Sequence, residues 1–371
     1  MNAHRAAAAA LVAVGLVAVA VWYLGGTNHS VTSVDATYLD SQPRLFAADS
    51  HGAIVHVGQQ FRGLDRSGRV VWQRDDTGQL SAVCAPRCPA AVLSGDLQDL
   101  TADPRPELLG GARIPKAWKT QGSGFNEILA VDRDAALRLW TRTDGNAVIQ
   151  SWTPAGTTSW PAENVSLEWY SRAASGTSGV LGLGSRYQSV VRTSSGWRPI
   201  QMPESPVEEE DPDRPHAPGC LSADGAARFN GVDRISVNGE EAEVSPPLPG
   251  ATCSWSPRHV VAVVRARTAD GLVTVVSVHD QAGRLTWSTE RKAQLLLAAS
   301  PTSERMLLTD PTRTVRRASL LDLSGNEIDH WDDITEAVFD ERGDIVLLDA
   351  DAGVRWVQPP ERPRGVPEDR S

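Results

Sequence analysis

Hydrophobic positions fall into two patterns along this chain. From Ala6 to Leu24 they run on without a charged residue. As a helix rising 1.5 Å per residue, that run reaches roughly 28 Å, close to the thickness of a bilayer's hydrocarbon core. From 41 to 358 the pattern changes to short Val, Ile, Leu and Trp runs broken by Gly, Asp, Asn, Ser or Pro, with almost no stretch at the helical period. Such punctuation predicts strands and an all-β fold.

Several of the short runs repeat one another. Leu64 to Trp72 and His279 to Trp287 share the form Asp-x-x-Gly-Arg-x-x-Trp. Gly156 to Trp160 keeps the distance from Gly to Trp, and Asp322 to Gly325 keeps the distance from Asp to Gly, with Trp331 displaced by two places. Looser echoes lie at Asp132 to Trp140, Ser195 to Trp197, Val237 to Glu240 and Gly353 to Trp356. Each reads as a hairpin: a strand ends at Asp, the turn uses Gly for positive φ, and the next strand buries an indole. Recurrence at about 40–50 residues predicts a single β-propeller of about seven blades, with six or eight as neighbouring counts. Two stacked β domains or a sandwich of generic hairpins is the alternative, but neither requires the Gly-to-Trp spacing to repeat.

These turns resemble the repeats of quinoprotein-like propellers, a family that holds quinone-dependent dehydrogenases and non-catalytic envelope-assembly scaffolds. The resemblance covers a few residues per repeat and implies the blade type. The dehydrogenases' adjacent-cysteine disulfide and calcium–quinone residues have no counterpart here, so the non-catalytic type is implied and no organic cofactor is expected. A second likeness is local. From Asp99 the segment Asp99-Leu100-Thr101-Ala102-Asp103-Pro104-Arg105-Pro106-Glu107 is similar to the calcium loop of integrin-type (VCBS, FG-GAP) propellers. That likeness implies a calcium ion held by side-chain oxygens of Asp99, Thr101, Asp103 and Glu107 and the carbonyl of Arg105. Ala102 and Pro104 stand where the family has glycines, so an ordinary polar turn is the other reading.

The apolar run sets the expected address. Arg5 precedes it, Trp22 and Tyr23 sit at its outer end, and the next basic residue is Arg44. Residues 1–5 then form a cytoplasmic flank, 6–24 a transmembrane signal anchor and 25–40 a polar tether, placing the propeller at 41–358 and a Pro- and Arg-rich tail at 359–371 outside the cytoplasm. Ala18-Val19-Ala20 also has the small-x-small form of a signal-peptidase site, and cleavage there would release the domain. Export makes a disulfide reading of the four cysteines apt: Cys84 with Cys88 and Cys220 with Cys253. A zinc site is the alternative, but its spacing fits no standard finger.

Charge and chemistry narrow the function. A net charge of −10 over 371 residues disfavours nucleic acid, whose affinity rests on Lys and Arg neutralising phosphate. The positive charge is nearly all Arg and Ala is abundant, as in high-GC bacterial genomes. No Gly-x-Ser-x-Gly elbow, His-Glu-x-x-His pair or phosphate-cradling loop is present. His51, His56, His216, His259, His279 and His330 are scattered and read as surface or turn residues, so no catalytic residue is assigned. Trp118, Trp140, Trp152, Trp160 and Trp169 read as core before they read as a sugar platform. The acidic, Pro-rich stretch 204–216 reads as a solvated loop between blades. The expected role is a protein-binding or assembly scaffold in a bacterial cell envelope, partnered by an extracytoplasmic protein or a cell-wall polymer. A polysaccharide-active hydrolase or lyase at the propeller channel and a ligand-binding sensor are the alternatives.

Overall fold

The structure is a computed structural model. It describes residues 43–75, 80–84, 88–93, 107–119, 126–131, 134–141, 147–162, 168–170, 178–183, 186–193, 195–201, 203, 219–222, 224–248, 251–268, 271–293, 295–310 and 316–360. All of them lie in the compact unit Gln42–Ser371. The proposed anchor at 6–24, its flanks and most of the Asp99 loop lie outside the described residues. Among those described, no helix is long and apolar enough to cross a membrane.

Among the described residues thirty strands follow one another with a single 3-10 turn, Lys116–Lys119. The first sheet is β1 (Arg44–Ala48), β2 (Gly52–Val57), β3 (Gln60–Asp65) and β4 (Val70–Asp75) in chain order. Next come β5 (Leu80–Cys84), β6 (Ala91–Leu93), β7 (Glu107–Leu109), β8 (Asn126–Val131), β9 (Ala136–Thr141), β10 (Ala147–Thr153) and β11 (Gly156–Ala162), merged into one sheet of order β11-β10-β9-β8-β5-β6-β7. The third sheet is β12 (Glu168–Tyr170), β13 (Ser178–Leu183), β14 (Arg186–Thr193) and β15 (Gly196–Ile200). The fourth is β16 (Cys220–Leu221), β17 (Ala227–Phe229), β18 (Arg234–Val237) and β19 (Glu240–Glu243). The fifth is β20 (Thr252–Trp255), β21 (His259–Thr268), β22 (Gly271–Asp280) and β23 (Leu285–Arg291). The sixth is β24 (Leu296–Ala299), β25 (Arg305–Asp310), β26 (Arg317–Asp322) and β27 (Glu327–Asp332). A final sheet holds β28 (Ile334–Phe339), β29 (Ile345–Asp349) and β30 (Val354–Val357).

This is a single all-β propeller. Its six blades are the sheets of four or more strands, and the three-stranded β28–β30 completes the ring between β24–β27 and β1–β4. The blades number six, one of the two counts neighbouring the expected seven. β5 pairs in parallel with β8, Val83 to Ala130 and Cys84 to Val131, so β5–β7 and β8–β11 share one sheet.

The blades are held by apolar faces that meet between sheets. Val261, Val263, Val276 and Val278 from β21 and β22 pack on Met306, Leu308 and Leu321 of the next sheet. Leu307, Ala318 and Leu320 turn the other way, onto Ile334, Phe339, Ile345 and Leu347. Period-2 alternation puts successive side chains on opposite faces, so a blade covered on both sides must be apolar at nearly every position. Val346 and Leu348 then pack on Ala53, Val55 and Leu64, closing the last sheet onto the first.

Candidate functional site

In the four-stranded sheets and in β28–β30, each an antiparallel meander, the turns joining first to second and third to fourth strands lie on one face. Four of these turns share one hydrogen-bond plan, and the β29–β30 turn at the opposite end of its sheet repeats it. In Asp65 one carboxylate oxygen accepts the amides of Ser67 (2.9 Å) and Arg69 (3.1 Å), while its carbonyl accepts the Gly68 amide at 2.8 Å. Asp280, Asp322, Asp340 and Asp349 do the same with the amides two and four residues ahead. In the two full repeats the arginine returns to its own aspartate, Arg69 Nη2 to Asp65 Oδ2 at 2.8 Å and Arg284 Nε to Asp280 Oδ2 at 2.8 Å. Asn326 takes that place beside Asp322, at 2.9 Å. Bonds to the charged carboxyl hold Asp65 down at about 2, the Ser67 hydroxyl foremost among them, and they lower Asp280 and Asp224 as well, against the upward push of burial.

The glycine of the plan serves twice. It supplies positive φ, 76° at Gly283 and 83° at Gly325. It also lets the turn touch the preceding blade: a Cβ on Gly283 would lie 2.0 Å from the Glu243 carbonyl oxygen, and one on Gly325 would lie 2.3 Å from the Trp287 ring. The tryptophans of the repeat act across the same boundary. Trp72 Nε1 donates to the Pro89 carbonyl at 2.7 Å and Trp356 Nε1 to the Asp49 carbonyl at 3.0 Å.

First-to-second turns of neighbouring sheets are stitched by side chains that sequence reasoning missed. Glu304, before β25, accepts from Ser256 Oγ at 3.0 Å, lies 2.6 Å from His259 Nδ1 and accepts from Arg258 Nε at 3.3 Å. Glu341, after β28, accepts the Ser50 amide at 3.0 Å and the Ser50 hydroxyl. Asp49 accepts the amides of His51 (2.7 Å) and Cys88 (2.6 Å). Arg66 donates to Asp344 at 2.5 Å and to the Ser50 carbonyl at 3.1 Å, and its Nη1 stands 3.9 Å from Asp340 Oδ2. Two groupings of serine, histidine and carboxylate result. Neither is wired as a nucleophile: Ser256 Oγ donates to Glu304, and Ser50 Oγ donates to Glu341 while lying 3.3 Å from His51 Nδ1, so each hydroxyl proton goes to a carboxylate, whereas a nucleophilic serine gives its proton to an imidazole nitrogen. One signal could have exposed part of this network: Asp340-Glu341-Arg342-Gly343-Asp344 repeats the Asp-x-x-Gly frame.

The predicted site residues separate. Asp99, Thr101, Asp103 and Arg105 lie outside the described residues. Glu107 opens β7 and forms an ion pair with Arg74 at 2.7 Å. Among the described residues no cluster of His, Cys, Asp and Glu could hold a metal ion. Cys220 is disulfide-bonded to Cys253, joining β16 to β20 of the next blade. Cys88 is also disulfide-bonded, and the side chain of Cys84 lies outside the described residues. His51 is exposed in a turn, but His279 corrects the reading of the histidines as surface or turn groups. It is fully buried on β22, with burial lowering its pKa and Nδ1 3.4 Å from the Gly283 carbonyl. Trp118 is core, as expected, with the buried Arg138 guanidinium 4.4 Å from its ring.

No known protein family and no curated protein matches the chain. Among solved structures it is similar to apo AztD from Citrobacter koseri, at 11% identity and TM-score 0.44 over 78% of this chain and 85% of that one. It is also similar to the dihydro-heme d1 dehydrogenase NirN, at 11% and 0.43 over 91% and 76%. The WD40 domain of SCAP from fission yeast stands at 8% and 0.45 over 85% and 94%.

Proposed function

We propose that this chain is a membrane-anchored, extracytoplasmic propeller of the quinoprotein-like, non-catalytic type, acting as a protein-binding or assembly scaffold in a bacterial cell envelope. The observation that carries the reading is the Cys220–Cys253 disulfide between neighbouring blades, since such bonds persist in oxidising compartments outside the cytoplasm. The apolar run Ala6 to Leu24 ahead of the domain supports the anchor. The turn face supports binding over chemistry, because its acids are spent on backbone amides, arginines and neighbouring turns. A rigid disc tethered by about fifteen residues would present loops to an extracytoplasmic protein or a cell-wall polymer near the bilayer.

Crosslinking in intact cells, followed by affinity purification and mass spectrometry, tests the reading. The full-length chain is compared with a form whose apolar segment is replaced by a cleavable signal peptide. A defined set of envelope proteins captured better by the anchored form is the expected result. Capture of cytoplasmic proteins alone, or of no protein by either form, overturns the scaffold.

A further inference from the structure

At the junction between the first and last sheets two aspartates, one from each, are buried. Four carboxylates meet there: Asp49 from the β1–β2 turn and Asp340, Glu341 and Asp344 from the β28–β29 turn. Asp49 and Asp340 are 1% and 0% exposed. The Arg66 guanidinium faces them, reaching over from the β3–β4 turn, and the titratable imidazole of His51 stands 3.6 Å from Asp49. Other groups packed against the cluster carry no charge: the Cys88 amide, the Ser300 and Thr302 hydroxyls from the β24–β25 turn, and Trp356 from β30. Arg342 of the same turn contributes its amide to Asp340 and its carbonyl to Thr302. Asp340 Oδ1 accepts two amides, whereas its Oδ2 is buried without a hydrogen-bond partner.

We propose that this junction is a proton-responsive latch, which closes the ring more tightly as the surroundings acidify. Opening the seam would return Asp49 and Asp340 to water, where an aspartate titrates in its ordinary range. In the closed seam, desolvation raises both, and the neighbouring carboxylates, Glu341 for Asp49 and Glu341 with Asp344 for Asp340, raise them further. The closed form therefore holds protons more strongly than the open form, so closing takes up protons and acid favours it. A proton on Asp340 Oδ2 leaves both amide bonds to Oδ1 intact and removes one of four mutually repelling charges. Arg66 keeps its bonds to Asp344 and to the Ser50 carbonyl. This inference needs only the described residues and does not depend on the scaffold reading.

The test is amide hydrogen exchange on the full chain at about pH 5 and about pH 7.5, corrected for the pH dependence of intrinsic exchange. The Leu45 and Ser50 amides report the seam directly, because Glu336 and Glu341 accept them. Their protection is expected to rise at the lower pH, by about tenfold for each pK unit by which the closed form's value exceeds 5. Amides in β21 and β22 provide the reference. Asp340→Asn, a neutral mimic, should raise seam protection at the higher pH and flatten its pH response. Glu341→Gln, which keeps an acceptor for Ser50 and removes a repelling charge, should do so in part. Seam protection that is unchanged or lower in acid in the native chain overturns the latch, even where a variant fails to fold. So does an Asp340→Asn protein that keeps the full response.

Discussion

Trp356 Nε1 donates to the carbonyl of Asp49 across 307 positions of sequence, tying the last strand to the first turn. Trp72 makes the same bond to Pro89 of the following sheet. Each indole thus fills an interblade gap with its ring and satisfies a turn carbonyl with its nitrogen. Trp356→Phe keeps most of the packing and should cost about 1–2 kcal/mol, the usual range for losing one hydrogen bond to a partly buried acceptor. Urea unfolding would measure it, and an unchanged midpoint would show that the bond is incidental.

Gly283 and Gly239 separate two demands made on turn glycines. Both have positive φ, 76° and 90°, but only Gly283 lies against another blade, while a Cβ on Gly239 would meet nothing within 4 Å. Gly239→Ala should cost about 1–2 kcal/mol, the strain of a left-handed residue alone. Gly283→Ala should cost at least twice as much, because the clash with the Glu243 carbonyl adds to the strain. Equal losses in melting temperature would refute a close-approach role.

The Cys220–Cys253 bridge closes a sequence separation of 33 residues. Replacing both cysteines by alanine should cost about 3–4 kcal/mol if chain entropy of the unfolded state dominates. Denaturant titration of the double variant checks this, and a loss below about 1 kcal/mol would mean that the blades hold each other without the bond.

His279 and the turn aspartates give the stability curve its acid limb. Burial lowers His279 below its ordinary 6.5, so the neutral ring's contribution is fully present above 6.5 and is lost as pH falls through the folded-state value. Asp65, Asp224 and Asp280 are lowered too, so theirs is present above 3.8 and fades below it, for Asp65 down to about 2. His279→Gln should therefore weaken the fall in melting temperature that begins near pH 6.5 and leave the fall below 3.8 in place. An identical profile in both proteins would remove His279 from the account.

Calcium is a separate matter. Glu107 is already ion-paired with Arg74, and Ala102 and Pro104 stand where the integrin-type loop has glycines. Millimolar calcium is expected to leave the melting midpoint where chelator leaves it. A rise with calcium that Asp103→Ala abolishes would instead assign the ion to the Asp99 loop.

Local repetition made the architecture legible. A strand ending at Asp65 or Asp280, a glycine of positive φ and an indole three residues beyond the arginine are all settled within nine residues of chain. The hairpins, the β class and the propeller could therefore be read directly. What that frame does at a distance could not be read. That Gly283 rests on Glu243 depends on how one blade stacks on the next, and so does the parallel pairing of β5 with β8, which no repeat announced. Glu304 carries no motif, and the Asp-x-x-Gly frame that holds Asp340 and Glu341 does not tell their partners, because Ser256, Ser50 and Arg66 lie in other blades. His279 looked like a turn residue because it precedes the turn at Asp280, and only the packing of β22 between blades showed it to be buried. Sequence by itself determined the elements, whose hydrogen bonds are short-range. Tertiary structure alone decided the contacts between blades, where burial raises the pKa of Asp49 and Asp340, lowers that of His279 and sets where the ring closes.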